Sequence, residues 1–272
     1  NVFVGQTEAP LLIRPYVQTM TRSELMALMV GGFATIAGGV MAAYAGMGID
    51  PAHLVSASVI SAPAALLISK LMIPETEESP TMGHVEITID EKHANVVDAA
   101  TSGALEGLKL TLNVAAMLIA FLGLVALIDA ALGLVGGWVG GLFGYSWTWS
   151  LSTIFGYIFF PFAWLLGIPY ADCIYAGELL GKKMVLNEFI AYAQMMAWQQ
   201  PDSGVVLSER SILILTYALC GFANFGSVGI QIGGIGGIAP DRKADLARLG
   251  MRAMIGGTLA MMMTACIAGI LI

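Results

Sequence analysis

Charged residues are scarce in this sequence of 272 residues: Asp, Glu, Lys and Arg make up 11% of it, against 57% for the hydrophobic types. The mean hydropathy is +0.80. A water-soluble domain of this size could not bury so much apolar surface in one core. The composition therefore excludes an ordinary soluble domain and indicates a protein whose main solvent is lipid.

Other features are missing as well. There is no CxxC pair, and Cys173, Cys220 and Cys266 lie in apolar surroundings without an accompanying histidine, which argues against a metal cage or a disulfide framework. No initiator methionine, basic leader or cleavage site is present at Asn1, so we expect no signal peptide and a chain cut from a longer protein. The net charge of −7 comes largely from residues 75–90, which we interpret as a solvated loop rather than a surface for nucleic acid.

Long apolar blocks are what the sequence has in abundance. A membrane-spanning helix needs about 20 mostly apolar residues, and five blocks reach that length: 25–47, 54–73, 108–132, 212–232 and 254–272. We therefore predict an all-α, polytopic membrane protein with at least five spans. Because Lys and Arg in short loops favour the cytoplasmic side, the basic residues before the first and last blocks predict that both spans begin there.

Three further segments are too short or too interrupted to be simple spans. Between residues 151 and 194 an apolar stretch is broken by Gly-Ile-Pro at 167–169 and resumes with embedded charges, which predicts a re-entrant helical hairpin with its tip at 167–169. Residues 1–18 are typical of the second limb of another hairpin. Residues 95–107 are amphipathic and predict a helix along the membrane surface.

An internal repeat links the first and fourth blocks. The tetrapeptide GFAT at 32–35 recurs as GFAN at 221–224, and each copy follows a hairpin segment that bears a carboxylate, Glu8 or Glu188. Both copies lie in mid-block and are followed by glycines that weaken a helix. We predict inverted repeats with broken transmembrane helices, which meet near the midplane and form a binding site. The alternative is that glycine-rich spans merely pack closely against their neighbours.

These features divide the chain into five parts. Residues 1–47 hold the second limb of the first hairpin and the first broken span, and 151–240 hold the second hairpin and the second broken span, together forming a transport domain. Residues 48–94 are a span and an acidic cytoplasmic loop, 95–150 an interfacial helix and a long scaffold span, and 241–272 the last span.

The candidate site combines two carboxylates with neutral hydrogen-bonding groups: Gln6, Thr7, Glu8, Asn187, Glu188, Asn224 and Ser227. An ionised carboxylate is costly in lipid, so both carboxylates should face a wet cavity. The set suits a neutral, hydroxyl-rich solute better than an anion, which would call for Arg or Lys. Phe222 offers a flat face to a ring, and Val40 could close the other side. Plain helix packing for Phe222, and a structural pairing of Glu188 with Lys183, stay open.

Longer motifs carry a resemblance to a known family. The peptide GQTEAP at 5–10 followed by Arg14-Pro15, the pattern GxKxxxNEFxAY at 181–192, and GFAN at 221–224 with Ser227 resemble the concentrative nucleoside transporter family. The resemblance runs along the whole chain, although the N-terminal part of the family is missing. It implies a homotrimer in the bacterial inner membrane that uses an ion gradient to import nucleosides such as uridine by an elevator movement.

The resemblance also implies roles for individual residues. Those that address the nucleobase are Gln6, Thr7 and Glu8, with Val40 and Phe222 packing on it. Those that hold the ribose hydroxyls are Glu188, Asn224 and Ser227. Those that bind sodium are Asn1, Val4, Thr35 and Ile36.

Two departures from the family's pattern leave questions open. Thr35 stands where serine is expected in bacterial members; the hydroxyl is retained, so sodium is the expected coupling ion, while proton coupling stays open. Gly226 and Val228, on either side of Ser227, also differ from the expected pattern, which leaves the preference for purines or pyrimidines open.

Three other classes of protein are weighed against this one. An ion-coupled carrier of another small neutral solute is the main alternative. A channel should show rings of repeated groups rather than paired broken helices. An intramembrane enzyme could use Glu8 and Glu188 with His53, His84 and His93 as metal ligands, but neither a nucleophile elbow nor an HExxH motif occurs, so we expect no enzyme.

Overall fold

Side-chain caps fix where several helices of this chain begin. Thr21 and Glu24 form a reciprocal capping box: the Thr21 hydroxyl accepts from the Glu24 N–H, and the Glu24 carboxylate accepts from the Thr21 N–H at 2.9 Å. Asn187 and Asn224 each accept a backbone N–H three residues further on, at 2.9 and 2.8 Å. A cap of this kind stabilises a helix by about 1 kcal/mol.

A computed structural model describes residues 4–83, 94–144 and 149–272. Within these ranges the regular structure is entirely helical, which confirms the predicted all-α class. The helices are α1 Glu8–Leu12, α2 Arg14–Val17, α3 Arg22–Ala34, α4 Gly38–Gly46, α5 Pro51–Met72, α6 Val96–Phe143, α7 Leu151–Leu165, α8 Cys173–Val185, α9 Glu188–Trp198, α10 Glu209–Leu219, α11 Phe225–Ile238 and α12 Lys243–Leu271. Two single-turn 3₁₀ helices precede α8 and α12, at Tyr170–Asp172 and Pro240–Arg242.

Both broken helices are present where the repeated tetrapeptide predicts them. The chain is extended at Thr35 and Ala37, between α3 and α4. It leaves the helix again at 220–224, between α10 and α11. The carbonyls that end α3 and α10 thereby lose their partners within the helix and become available to other groups.

The long helices of both repeat units share one core. Helices α3, α5 and α10 all pack against α12, and α3 also packs against α5. Small residues allow the approach, since a Cβ at Gly257 of α12 would lie 2.4 Å from the Cβ of Phe33 in α3. We name 4–72 the first unit and 173–271 the second, because in each a carboxylate-bearing segment, a broken helix and a long helix follow in that order.

The start of α3 is tied to the loop after α5. The Thr21 hydroxyl donates to Glu75 at 2.8 Å, and this bond holds the pKa of the Glu75 carboxylate below its usual value. Lys70 lies 3.4 Å from the same carboxylate. The described start of the acidic loop therefore packs against the start of α3.

The region 151–198 contains two turns rather than the single predicted tip. Helices α7 and α8 pack closely along their glycines, and a Cβ at Gly177 would lie 2.5 Å from the Gly156 carbonyl oxygen. Their turn includes Gly167, with φ +88°, as predicted. A second turn at Leu186 and Asn187 separates α8 from α9, and across it Lys182 donates to the Gln194 side chain at 2.6 Å.

The hairpin that carries Glu188 was therefore predicted with the wrong tip. Glu188 is the first residue of α9, so its position is set by the turn at 186–187 and not by the one at 167–169. The physical reason is that this turn uses an asparagine cap. It contains neither glycine nor proline, the residues that mark most turns in a sequence.

Helix α6 is continuous through the predicted boundary between a surface helix and a span. It runs for 48 residues, which corresponds to about 72 Å, more than twice the ~30 Å of a bilayer core. No loop separates 95–107 from 108–132, so the predicted surface helix and the predicted span are parts of one helix. The remaining division of the chain into domains stays a prediction.

Four segments of the described chain are long and apolar enough to cross a membrane: Arg22–Gly46, Pro51–Met72, Ile119–Leu142 and Pro240–Leu271. Five were predicted. The block 212–232 is the difference, because its break covers the five residues 220–224, whereas the shorter break at 35–37 leaves α3 and α4 within one apolar segment.

Candidate functional site

The two repeat units meet at polar side chains contributed by both. Gln6, in the segment before α1, donates to Ser227 of α11 at 3.3 Å. In the opposite sense, Tyr44 of α4 donates to Glu188 of α9 at 2.9 Å. Each unit's carboxylate-bearing segment thus contacts the second half of the other unit's broken helix, and we call this the crosswise contact.

Glu188 lies at the centre of the buried part of the site. Its side chain is 5% exposed. One carboxylate oxygen accepts from the Tyr44 hydroxyl, and the other accepts from the Asn224 amide at 3.2 Å. Both oxygens keep lone pairs beyond these bonds, so the carboxylate can accept further hydroxyl groups.

Tyr44 was not predicted. It is fully buried, and its ring centroid lies 4.8 Å from that of Tyr192. In the sequence it stands out only as a hydroxyl-bearing side chain within an otherwise apolar block. The hydroxyl of a buried tyrosine needs a hydrogen-bond partner. That signal does not identify the partner, because Tyr44 and Glu188 are 144 positions apart.

Lys183 binds the end of a broken helix. Its side chain is 2% exposed, and its ammonium donates to the carbonyl oxygen of Ala218 at 3.2 Å and contacts the Met261 sulfur at 3.0 Å. Ala218 is in the last turn of α10, where carbonyls lack helical partners and a cation is favoured. The ammonium therefore contacts the end of α10 and the side of α12, while the donors to Glu188 are Tyr44 and Asn224 rather than Lys183.

The residues predicted to address a nucleobase are divided between buried and exposed positions. Gln6 and Thr7 are 7% and 5% exposed. Glu8 is exposed, and the Thr7 hydroxyl donates to it at 3.1 Å. The two predicted carboxylates thus have different environments, and the expectation that both face a wet cavity stays a prediction.

The two predicted apolar contacts are both half-buried. Val40 lies in the first turn of α4, and Phe222 lies in the break before α11. Both pack against the hydrophobic core. The Phe222 carbonyl also accepts from the Asn224 N–H at 2.9 Å, so the break that exposes the ring is itself hydrogen-bonded.

Part of the predicted sodium site lies in the first break. Thr35 is 2% exposed and Ile36 is fully buried, and the Thr35 hydroxyl donates to the Gly31 carbonyl at 2.8 Å. Val4 is 36% exposed, and Asn1 lies outside the described residues. A cavity of about 470 Å³ opens beside Thr35, which is the only polar side chain among the described residues that line it.

The residues of the enzyme alternative have other partners. His53 lies 3.1 Å from the hydroxyl of Tyr217, whereas His84 and His93 lie outside the described residues. Within 4–83, 94–144 and 149–272, no group of three or more His, Cys, Asp or Glu side chains is arranged to hold a metal ion.

The chain matches a known protein family and several known transporters. Residues 53–269 match the family profile described as "Na+ dependent nucleoside transporter C-terminus". The whole chain aligns with 64% of an uncharacterized transporter of Haemophilus influenzae, at 53% identity. It also aligns with 41% of solute carrier family 28 member 3 of Eptatretus stoutii at 48% identity. In mouse, it aligns with 43% of sodium/nucleoside cotransporter 1 at 44% identity.

The chain thus spans between 41% and 64% of the length of these curated relatives. Among solved structures it is similar to CNTnw in an inward-facing substrate-bound state. That match has a TM-score of 0.79 and 45% identity, and covers 98% of this chain and 61% of that one. It is also similar to a variant of CNTnw in an outward-facing state, with a TM-score of 0.87 and 44% identity over 99% of this chain and 63% of that one.

Proposed function

Because the chain belongs to the concentrative, Na⁺-dependent nucleoside transporter family, whose members named above are transporters and not enzymes, we propose that the complete protein imports nucleosides such as uridine by ion-coupled symport. The observation that carries the proposal is the buried Glu188 carboxylate at the crosswise contact, held by Tyr44 and Asn224. It is a fixed acceptor for a hydroxyl-rich solute in the interior of a lipid-facing fold.

The ribose is recognised by the second unit. Glu188 accepts from its hydroxyl groups, and the Asn224 amide and Ser227 hydroxyl supply further bonds. The nucleobase is addressed by Gln6, Thr7 and Glu8 and packs between Val40 and Phe222. Support comes from the position of Gln6 within 3.3 Å of Ser227, which brings base and ribose groups together.

Sodium is the proposed coupling ion, with Asn1, Val4, Thr35 and Ile36 as its ligands. The Thr35 hydroxyl donates its hydrogen bond to the Gly31 carbonyl, so the lone pairs of its oxygen stay available to a cation. The carbonyl ends of α3 add partial negative charge at the same place. A proton in place of sodium is the alternative that the experiment below separates.

The transport step proposed is an elevator movement in the inner membrane of a bacterium, within a homotrimer. The likeness of this chain to inward- and outward-facing forms of CNTnw supports alternation between two states. Helix α6 supports a scaffold role, because it presents exposed apolar side chains along its length to lipid or a neighbouring subunit, among them Leu112, Ile119, Leu127 and Leu134.

The test is uptake of radiolabelled uridine by the complete protein in proteoliposomes. Accumulation driven by an inward sodium gradient is the expected result. Accumulation driven only by an inward proton gradient would keep the transporter and discard the sodium ligands. No uridine flux under either gradient would overturn the proposal in favour of a carrier for another small neutral polar solute.

A further inference from the structure

Gln231 is a buried amide on the same face of α11 as the proposed ribose-binding residues. It follows Ser227 by four positions and Asn224 by seven, which is the spacing of one helix face. Its side chain is fully buried. Nothing in the resemblance or in the proposed function assigns it a role.

The backbone of α3 fixes the orientation of this amide. The Gln231 nitrogen donates to the Met29 carbonyl oxygen at 3.1 Å. A backbone carbonyl can only accept, so the NH₂ group of Gln231, and not its oxygen, must face α3. The second N–H of that group donates to the Gln6 side-chain oxygen, also at 3.1 Å.

The hydrogen bond from Gln231 fixes the orientation of the Gln6 amide. Since its oxygen is turned toward Gln231, its own NH₂ group points the other way and donates to Ser227 at 3.3 Å. One N–H remains for a solute. The hydrogen-bond chain from Met29 through Gln231 to Gln6 therefore has one direction, and Gln6 presents a donor rather than an acceptor to the site.

The approach of the Gln231 and Gln6 side chains to α3 depends on a glycine. A Cβ at Gly32 would lie 2.6 Å from the Gln231 nitrogen and 3.2 Å from the Cβ of Gln6. The first glycine of the repeated tetrapeptide thus makes room for this hydrogen-bond chain.

Stability alone does not account for an amide at this position. The Gln231 side-chain oxygen is buried and has no hydrogen-bond partner among the described residues. A buried acceptor without a partner is destabilising, whereas an apolar side chain of similar shape avoids that cost. The amide is better explained by what its nitrogen does to Gln6.

We propose that Gln231 is a specificity-determining residue, which turns Gln6 so that the site favours nucleobases with a carbonyl acceptor over those with an amino group at the same edge. The inference rests on the proposed function and deepens it. Uracil and hypoxanthine are the favoured class, and cytosine and adenine, their amino-bearing counterparts, are the disfavoured one. Gln231 acts through Gln6 and is a positioning residue.

The experiment compares two pairs of nucleosides that differ in this one feature, uridine with cytidine and inosine with adenosine, in competition assays on the complete protein in proteoliposomes. We expect wild type to favour the carbonyl-bearing member about tenfold, as one exchanged hydrogen bond allows. In Gln231→Met the preference falls below about twofold. Gln194→Met is the matched control, since its amide contacts Lys182, and it keeps the wild-type ratio.

A second variant protects the test against misfolding of the first. In Gln6→Glu the carboxylate accepts from Gln231 and presents an acceptor to the solute, so the preference reverses toward cytidine and adenosine. A wild-type ratio in folded Gln231→Met, or in Gln6→Glu, would overturn the inference while leaving the proposed function intact. A wild-type protein that binds nucleosides without this discrimination would do the same, and one that binds none would overturn both.

Discussion

The two repeat units differ in how they treat the end of their broken helices. In the second unit, the end of α10 is bound by the Lys183 ammonium at 3.2 Å from Ala218, and Glu188 is buried nearby. In the first unit, the corresponding end of α3 faces the neutral Thr35 hydroxyl. The second unit thus carries a fixed cation, the Lys183 ammonium. In the first unit, the proposed function places a sodium ion at the corresponding position. The repeat has kept its backbone arrangement while its charges have diverged.

The carboxylates diverge in the same way. Glu188 is 5% exposed with two side-chain donors, whereas Glu8 is exposed and bonded to the adjacent Thr7. Carboxylates at equivalent positions of the two units therefore differ in burial and in hydrogen bonding. Substitutions made in matched pairs across the two units can show which differences matter for transport.

The largest effect is expected for Glu188→Gln. The amide cannot replace a charged acceptor for the ribose hydroxyls, and saturable uridine uptake should fall by about 100-fold or more while the protein stays folded. The matched variant Glu8→Gln should lose less than about tenfold, because its side chain is exposed. Uptake kinetics measured beside size-exclusion profiles check both. Normal transport by Glu188→Gln would refute its assigned role.

A smaller but clear loss of stability is expected for Lys183→Met. This change removes the ammonium from Ala218 and leaves Glu188 buried without a fixed positive charge nearby, so the free energy of unfolding should fall by about 3 kcal/mol. Thermal unfolding in detergent measures the change. Lys182→Met is the control, because Lys182 lies at the partly exposed Glu178 pair and should shift stability by less than about 1 kcal/mol.

The paired glycines of the repeat should differ next. A Cβ at Gly221 would lie 2.9 Å from the Phe33 carbonyl oxygen, at a φ of +151°, so Gly221→Ala should destabilise the protein by about 2 kcal/mol. A Cβ at Gly32 meets the side chains of Gln231 and Gln6, rather than backbone, among its nearest atoms. Gly32→Ala should therefore cost less stability but disturb nucleobase preference. Equal melting temperatures for the two variants would contradict this difference.

The smallest effect is expected at the first break. Thr35→Val removes a proposed sodium ligand while retaining the shape of the side chain, and it should raise the sodium concentration for half-maximal uptake by several-fold with little change in folding. The measurement is uridine uptake over a sodium titration. If the sodium dependence is unchanged, the ion binds elsewhere.

The sequence was most informative where local chemistry decides structure. Both breaks were predicted from the glycines that follow the repeated tetrapeptide within apolar blocks, and Glu188 was singled out as a carboxylate that is costly in lipid. The turn at 186–187 was missed because asparagine caps are common and say little about direction. Helix α6 was predicted as two elements because residues 95–107 are amphipathic and residues 108–132 are apolar. This change of composition was taken for a change of structure.

Contacts between the units were beyond prediction for another reason. Tyr44 and Gln231 bind residues 144 and 225 positions away, and no periodicity in one sequence connects such pairs. Gln231 also looks like an ordinary polar interruption in a glycine-rich block. Only the packing of α11 on α3 shows that its amide has a fixed direction.

The crosswise contact can form only late in biosynthesis. Gln6 cannot meet Gln231 until 225 further residues have been made, which takes roughly 10–45 s at about 5–20 residues per second. Throughout that interval the first unit is in or near the membrane with the amide of Gln6 still without its buried partners. Until the second unit arrives, water or the insertion machinery must solvate that amide, and a nascent chain that stalls before α11 would present to the bilayer half of a polar site.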